Sequence, residues 1–400
     1  MRHIVKHRGS GLLGWFAGLA MGVALVLVSP APSWAQGWGG GNPFEATVQT
    51  RDITELETVL GLDDEQKSQV KELYAGYSLE QMPAAERMRD MMNQVQQDFQ
   101  ESRDPTVWQE AMPKFIEFGE HAEKLEQSLF DDIKLLLTEE QLEKWVKFER
   151  RHRRAQSLRQ AGGSGMISGD AVELVEIVQA QKLPPDQMAS IDAVLDQYEA
   201  DMDRVVQARI KATKEMTKRQ TELMGDFFGN MDKFEAMWAE LRDMSVQIRD
   251  LNYRYARQVS GMLNEDQRPA FDRAFNEKAA PEIYKESFVD SAFKLARGME
   301  DLTAEQRTGV AEAQASYERE AAAINERWSA ARREWEPTMK MTDLWQAGNR
   351  PAAINDARKA REELDERTFE RLRNMLSEEQ RARLPERRKA DWRRSGGFGN

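Results

Sequence analysis

The chain has 400 residues, and 32% of them are charged. Its formal net charge is −12, and it contains no cysteine. The lack of cysteine excludes disulfides, thiolate metal sites and a cysteine nucleophile, and the acidic balance argues against nucleic acid as a partner. Abundant charge with sparse, clustered glycine and proline is typical of long helices, so we expect an all-α fold.

Residues 1–35 have the pattern of a secretory signal peptide. A basic start precedes the apolar run LLGWFAGLAMGVALVLV and a small-residue cleavage site, Ser33-x-Ala35. Removing this segment takes away three cations and no acid, which moves the formal charge from −12 to −15. We therefore expect export to the periplasm. An uncleaved membrane anchor is the alternative, because 17 apolar residues can just span a bilayer.

Glycine and proline divide the rest of the chain into segments of similar length. The predicted minor segments are a Gly-rich leader at 36–50, a Gly/Ser linker at 159–169 and a disordered tail at 393–400. The predicted repeats are repeat 1 at 51–158, repeat 2 at 170–280 and repeat 3 at 281–392.

A five-residue motif, a leucine followed four positions later by a glutamine, occurs twice in each repeat. Its copies are LDDEQ at 62–66, LTEEQ at 137–141, LPPDQ at 183–187, LNEDQ at 263–267, LTAEQ at 302–306 and LSEEQ at 376–380. This alternation predicts three tandem helical hairpins. Each has a leading helix, an outgoing arm that starts at the first motif, a return arm and a closing helix that starts at the second motif.

The motif has the chemistry of a helix start and not of an active site. Its second residue is a good N-cap in five copies, and the glutamine can reach back to the cap's N–H as a capping box; in LPPDQ two prolines start the helix sterically. The helix-start residues are Leu62, Asp63, Gln66, Leu137, Thr138, Gln141, Leu183, Gln187, Leu263, Asn264, Gln267, Leu302, Thr303, Gln306, Leu376, Ser377 and Gln380. The apolar residues seven positions after the caps, expected to dock on neighbouring helices, are Val70, Trp145, Ile191, Phe271, Val310 and Leu384.

Proline positions predict where the arms break. We expect repeat 1 to break its outgoing arm at Met82–Pro83, and Pro113 and Pro351 to lie in the first turns of return arms. In repeat 2 an arm without an interior proline is expected from Pro184 to about Phe228.

Paired motifs around long helical hairpins, in an exported chain without cysteine, resemble the Spy/CpxP family of periplasmic proteins, which is known by its LTxxQ motifs. The resemblance involves all six copies and spans nearly the whole mature chain. It implies helical proteins that dimerise into a curved cradle and act as ATP-independent chaperones, as inhibitors of envelope-stress sensor kinases, or as metal-related sensors. This chain differs in having three repeats and an acidic balance, and in keeping two histidines, His121 and His152, after export.

Methionine and aromatic residues concentrate near the midpoints of the arms. The candidate client-contact residues are Met91, Met92, Phe99, Trp108, Phe227, Phe228, Met231, Trp238, Met339, Met341 and Trp345. One interpretation is that these side chains fill the core between the arms. The other is that some of them line a concave surface that holds unfolded clients, because methionine is common on promiscuous binding surfaces.

The sequence contains no metalloprotease, P-loop or nucleophile-elbow motif, so we expect neither an enzyme nor a cofactor. His121 with Glu117 one turn earlier is better explained as a solvated helix face than as a metal site. The predicted partners are unfolded or partly folded envelope proteins. The alternative is a specific envelope sensor as partner, or a scaffold role. Metal buffering is the least favoured function. For the assembly we expect either a homodimer of two chains or repeats that stack as a short solenoid.

Overall fold

The computed structural model of the chain describes residues 46–102, 104, 106–160, 167–223, 229–344 and 349–385. The predicted signal peptide, most of the leader and the tail lie outside the described residues. In the described ranges the chain is helical and has no strand, which confirms the all-α class. No helix in these ranges has the length and apolar content needed to cross a membrane.

The described residues form a series of long and short α-helices. Their bounds are α1 Thr50–Leu60, α2 Asp64–Ser102, α3 Thr106–Lys134, α4 Glu139–Gln160, α5 Leu174–Ala180, α6 Pro185–Leu223, α7 Met231–Met262, α8 Arg268–Ala279, α9 Pro281–Tyr284, α10 Phe288–Arg297, α11 Ala304–Trp335, α12 Ala352–Met375 and α13 Glu378–Arg381. Two short 3-10 turns, Glu336–Thr338 and Met341–Leu344, lie between α11 and α12.

Contacts between Cα atoms divide the chain into two compact units. The first comprises residues up to 163 together with 206–237, and the second comprises 164–205 together with the residues from 238 onward. These boundaries differ from those of the three predicted repeats, because both long helices of repeat 2 contribute residues to each unit. The division into three repeats stays a prediction.

In the first compact unit, α1, α2, α3 and α4 share one apolar core. Side chains from all four helices meet there, and burying each of the larger ones contributes about 1.5–3 kcal/mol. The buried members are Val48, Ile53, Leu56, Leu60, Leu62, Val70, Tyr77, Leu129, Phe130, Ile133, Trp145 and Phe148. This core closes the end of the α2–α3 pair at which both motif copies lie.

In the second compact unit, α10, α11 and α12 form a core of the same kind around the motif copies at Leu302 and Leu376. Tyr317, Phe293 and Leu372 are among its fully buried side chains. The short helix α5 adds four more buried aliphatic residues to this unit.

Two of the predictions from proline were wrong. Pro83 lies inside α2 and Pro113 lies inside α3, and both helices run through these positions. Each proline is exposed and has buried neighbours, such as Ala84 after Pro83 and Met112 before Pro113. The carbonyl that an interior proline leaves without a partner therefore lies on the water side, and packing of the adjacent turns offsets the cost of about 3 kcal/mol. Pro351 immediately precedes α12, as a residue at a helix start should.

Candidate functional site

The motif residues form capping boxes. The Asp63 N–H donates to Gln66 Oε1 (3.1 Å), and the Gln66 N–H donates to Asp63 Oδ1 (2.8 Å). Complete boxes of this kind also form at Thr138, Thr303 and Ser377. The prediction was wrong for Asn264: α8 begins at Arg268 with Gln267 as its N-cap, and of the box only the bond from the Asn264 N–H to Gln267 Oε1 forms (3.1 Å). Each cap satisfies backbone donors that the first turn cannot pair, at about 1 kcal/mol per cap.

The two glutamines of each repeat also bind each other, an arrangement that we call the glutamine clasp. Gln66 Nε2 donates to Gln141 Oε1 (2.8 Å), and Gln141 Nε2 donates back to Gln66 Oε1 (2.9 Å). The same reciprocal pair forms between Gln187 and Gln267 (2.9 and 3.1 Å) and between Gln306 and Gln380 (3.0 and 3.4 Å). The clasp therefore joins the first motif copy of a pair to the second copy, and it does so for all three pairs.

A backbone carbonyl completes each clasp. The first-motif glutamine donates from Nε2 to the residue that precedes the second-motif leucine, namely Leu136 (2.9 Å), Met262 (3.3 Å) or Met375 (2.9 Å). A capping box accepts glutamine or glutamate, yet all six copies have glutamine. The clasp explains this choice, because an amide both donates and accepts whereas a carboxylate only accepts. The sequence analysis missed the clasp, although the uniform glutamine was its visible signal.

The apolar residues of the motif lie in the interior. The six residues at the plus-seven positions are all buried: Val70, Trp145, Ile191, Phe271, Val310 and Leu384. Four motif leucines, Leu62, Leu263, Leu302 and Leu376, are buried as well, and Leu137 packs against the core of the first compact unit.

A tyrosine fifteen residues after each first-motif leucine is a second repeated feature that the sequence analysis missed. These residues are Tyr77, Tyr198 and Tyr317, and all three are buried. Across from each, eleven residues before the second-motif leucine, stands Glu126, Asn252 or Asp365. Tyr198 Oη donates to Asn252 Oδ1 (2.8 Å), and Tyr317 Oη donates to Asp365 Oδ1 (2.9 Å). Burial raises the pKa of Tyr77, and the charge of Glu126 adds to it. We call these three groups the tyrosine clusters.

A further buried polar network in the second compact unit centres on Glu336, which is fully buried. Its carboxylate accepts from Ser168 N (2.6 Å) and Ser168 Oγ (2.9 Å), from Arg249 Nη1 (2.9 Å) and from Arg332 Nε (2.8 Å). Gly169, next to the serine, has a φ of +80° and donates its N–H to the Ala279 carbonyl (2.7 Å). These groups fasten the segment before α5, so we assign the network to stability and not to chemistry.

Of the eight candidate client-contact residues that the structure describes, four are buried and four are half-buried. Phe99 and Trp108 are buried at the far end of the α2–α3 pair, edge to face at 6.3 Å, with Met91 and Met92 packed half-buried against them. Among the others, Met339 and Met341 are buried, and Met231 and Trp238 are half-buried. Phe227, Phe228 and Trp345 lie outside the described residues. The buried residues therefore fill the interior between helices and do not form an exposed contact surface, because packing them there removes their apolar area from water.

An open depression in the first compact unit is cationic. It has a volume of about 610 Å³ and is lined by Arg153, Gln207, Ala208, Ile210, Lys211, Lys214, Glu215 and Lys218. Beneath it, buried Arg209 donates to Ser157 Oγ from Nη2 (2.7 Å) and Nε (3.1 Å), which fastens α6 to α4. Lys214 and Lys218 pair with Glu123 and Glu120 on α3, but these side chains are more than half exposed. Such pairs exchange readily for other anions. We call this depression the cationic cleft.

Exposed apolar side chains are also concentrated on the first compact unit. Leu142 and Val146 are one turn apart on α4, with 39% and 47% of their area exposed. Leu135, in the turn before α4, is 84% exposed, and Leu79 and Met82 on α2 are 80% and 58% exposed. The sequence did not predict the exposure of these residues or the cleft, because exposure depends on which helix faces are covered.

No cluster of three or more metal-ligating side chains occurs in the ranges that the structure describes. His121 lies 3.8 Å from Glu80 on a half-exposed surface. A scan against protein-family models, a search of curated proteins and a search of solved structures found no match.

Proposed function

We propose that the chain consists of three tandem Spy/CpxP-like hairpins and acts in the periplasm as an ATP-independent chaperone for unfolded or partly folded envelope proteins. The repeated glutamine clasp supports the hairpin organisation, since it joins both motif copies of each repeat in the same way. The signal-like residues 1–35 support export.

One observation supports the binding role above the others. The first compact unit combines exposed apolar side chains with the cationic cleft, in a chain whose mature charge is −15. Unfolded segments present apolar side chains together with charged ones. Apolar contact would supply affinity, and the cleft would favour clients with acidic side chains and speed their encounter at low salt.

The experiment is suppression of aggregation by the mature protein without ATP, using a denatured acidic model substrate at near-equal molar ratios. We expect suppression, a weaker effect at 0.5 M salt, and weaker suppression of a basic substrate. Absence of suppression at a several-fold molar excess would reject the proposal.

Surface variants locate the binding region. Leu142→Ser with Val146→Ser removes exposed apolar area from the first compact unit, while Leu295→Ser, at a 49% exposed position of the second unit, serves as the control. Suppression should fall several-fold in the first variant and stay unchanged in the control.

Charge reversal tests the cleft in the same way. In the variant Lys211, Lys214 and Lys218 become glutamate. The control carries the same net change at exposed cations of the second compact unit, Lys294→Glu, Lys359→Glu and Arg367→Glu. Equal suppression by both variants would remove the cleft from the proposal. A role as sensor partner or scaffold predicts a different outcome: indifference to unfolded substrate and capture of one defined envelope protein.

A further inference from the structure

In repeats 1 and 3 a cation lies between the same two acidic positions; it is buried in repeat 1 and half-buried in repeat 3. One is the aspartate of the capping box that starts the leading helix, Asp52 in α1 or Asp290 in α10. The other is the return-arm acid of the tyrosine cluster, Glu126 or Asp365. The cation thus links the leading helix to the rest of its core, and its identity differs between the two repeats.

In repeat 1 the cation is His152 of α4, of which 2% is exposed. Its Nε2 lies 3.2 Å from Glu126 Oε1, and its Nδ1 lies 3.8 Å from Asp52 Oδ1. The ring stacks on Phe148 at 5.9 Å and meets the edge of Phe130 at 5.1 Å. Water has little access to this imidazole, so its charge state depends on the two carboxylates.

In repeat 3 the cation is Arg361 of α12. Its Nε lies 3.0 Å from Asp365 Oδ1, its Nη2 lies 4.0 Å from Asp290 Oδ2, and Nη2 also donates to Tyr317 Oη (2.6 Å). A guanidinium does not lose its proton in a protein. In repeat 2 the corresponding return-arm residue is neutral Asn252, which donates to the Gly169 carbonyl (2.7 Å). Of these three groups, the one in repeat 1 alone has a central cation that can titrate near neutral pH.

We propose that His152 is an alkaline-sensitive latch: loss of its proton releases α1 from the first compact unit and uncovers the apolar core beneath that helix. Neutral imidazole removes the positive charge that lies between buried Asp52 and half-buried Glu126, and with it the attraction that holds the leading helix to α4. Opening returns Asp52 to water and exposes Ile53, Leu56 and Leu60, which the closed helix buries. The latch concerns conformation and does not depend on the proposed function.

The other charged groups around the histidine do not titrate in the same window. Burial raises the pKa of Tyr77 on α2 above its ordinary value of 10.0. Glu55 on α1 pairs with Arg151 at 3.5 Å, and burial raises its pKa from 4.5. Arg154 and Arg151, which share α4 with the histidine, remain charged throughout.

The direction of the effect follows from the pKa. Burial by itself lowers the pKa of His152, but the carboxylates of Asp52 (3.8 Å) and Glu126 (3.2 Å) outweigh burial and raise it from 6.5 to about 9. The closed state is therefore favoured most below pH 6.5, and this advantage is lost as the pH rises through about 9.

Quench-flow hydrogen exchange of the full chain at pH 7 and pH 9.5, corrected for intrinsic exchange, tests the latch. We expect the equilibrium constant for opening, measured on peptides from residues 50–60, to increase roughly 60-fold between the two pH values. This ratio follows if His152 has a pKa of about 9 in the closed state and about 6.5 in the open state. Peptides from α10, held by Arg361, should change less than threefold and serve as the control within the same molecule.

Two variants keep the proposal falsifiable. His152→Gln should exchange rapidly in α1 at both pH values, because the carboxylates have lost their cation. Combining it with Asp52→Asn and Glu126→Gln restores a neutral network, so α1 should be protected at both pH values. Unchanged protection of α1 in the natural chain at pH 9.5 would overturn the latch, as would an equal pH response in the triple variant.

Discussion

Changing Gln66 to glutamate separates local capping from the glutamine clasp. Glutamate is as good as glutamine in a capping box, and its charge in the first turn of α2 would gain about 0.3–1 kcal/mol from the helix dipole. A purely local role therefore predicts a variant as stable as the natural chain, or slightly more stable.

The clasp predicts the opposite sign. The carboxylate cannot make the two bonds that Gln66 Nε2 donates, to the Leu136 carbonyl (2.9 Å) and to Gln141 Oε1 (2.8 Å). Each lost bond costs about 1 kcal/mol, and an oxygen would now face two acceptor oxygens. After the dipole gain is subtracted, we expect a net loss of about 2 kcal/mol in the free energy of unfolding.

The assay is urea denaturation at pH 7, followed by circular dichroism and by hydrogen exchange of peptides from α2 and α4. Gln69→Glu is the matched control, since that residue is exposed and lies three positions further along the same helix; its effect should stay within about 0.5 kcal/mol. Protonation of the new carboxyl restores a donor, so the deficit relative to the natural chain should shrink below about pH 4. If Gln66→Glu proves as stable as Gln69→Glu, the clasp makes no net contribution and our explanation of the uniform glutamine is incorrect.

Four other substitutions, each followed by the urea midpoint, test the buried networks and two glycine positions. Tyr198→Phe leaves a fully buried amide oxygen without its donor and should cost about 1–3 kcal/mol. Glu336→Gln removes the charge shared by buried Arg249 and half-buried Arg332 and should cost about 3–5 kcal/mol. Exposed Glu334→Gln should change stability by less than about 0.5 kcal/mol. Gly61→Ala, at a φ of +62° with open space around it, should cost about 1 kcal/mol; Gly169→Ala should cost clearly more, since its Cβ would lie 2.9 Å from a tyrosine ring.

The sequence was sufficient for features that depend on neighbouring residues. Helical class, helix starts at the motif copies and burial of the plus-seven residues all follow from periodicity and capping chemistry, which act within two turns of a helix. Local rules failed at Pro83 and Pro113, where we expected a break and a helix start. There the contacts of buried flanking residues outweigh the local cost of proline.

Tertiary structure alone decided which polar groups meet. The glutamines of a clasp are 74 to 80 residues apart, and Asp52 is a hundred residues from His152. It also decided that Phe99, Trp108 and Met339 are interior residues, while Leu142 and Val146 remain exposed. Hydrophobic residues of one helix look alike in a sequence, because exposure depends on the neighbour that covers each face. Helix packing determines which polar groups bind across such sequence separations. It brings the ends of long helices together and leaves their side chains few other groups to bind.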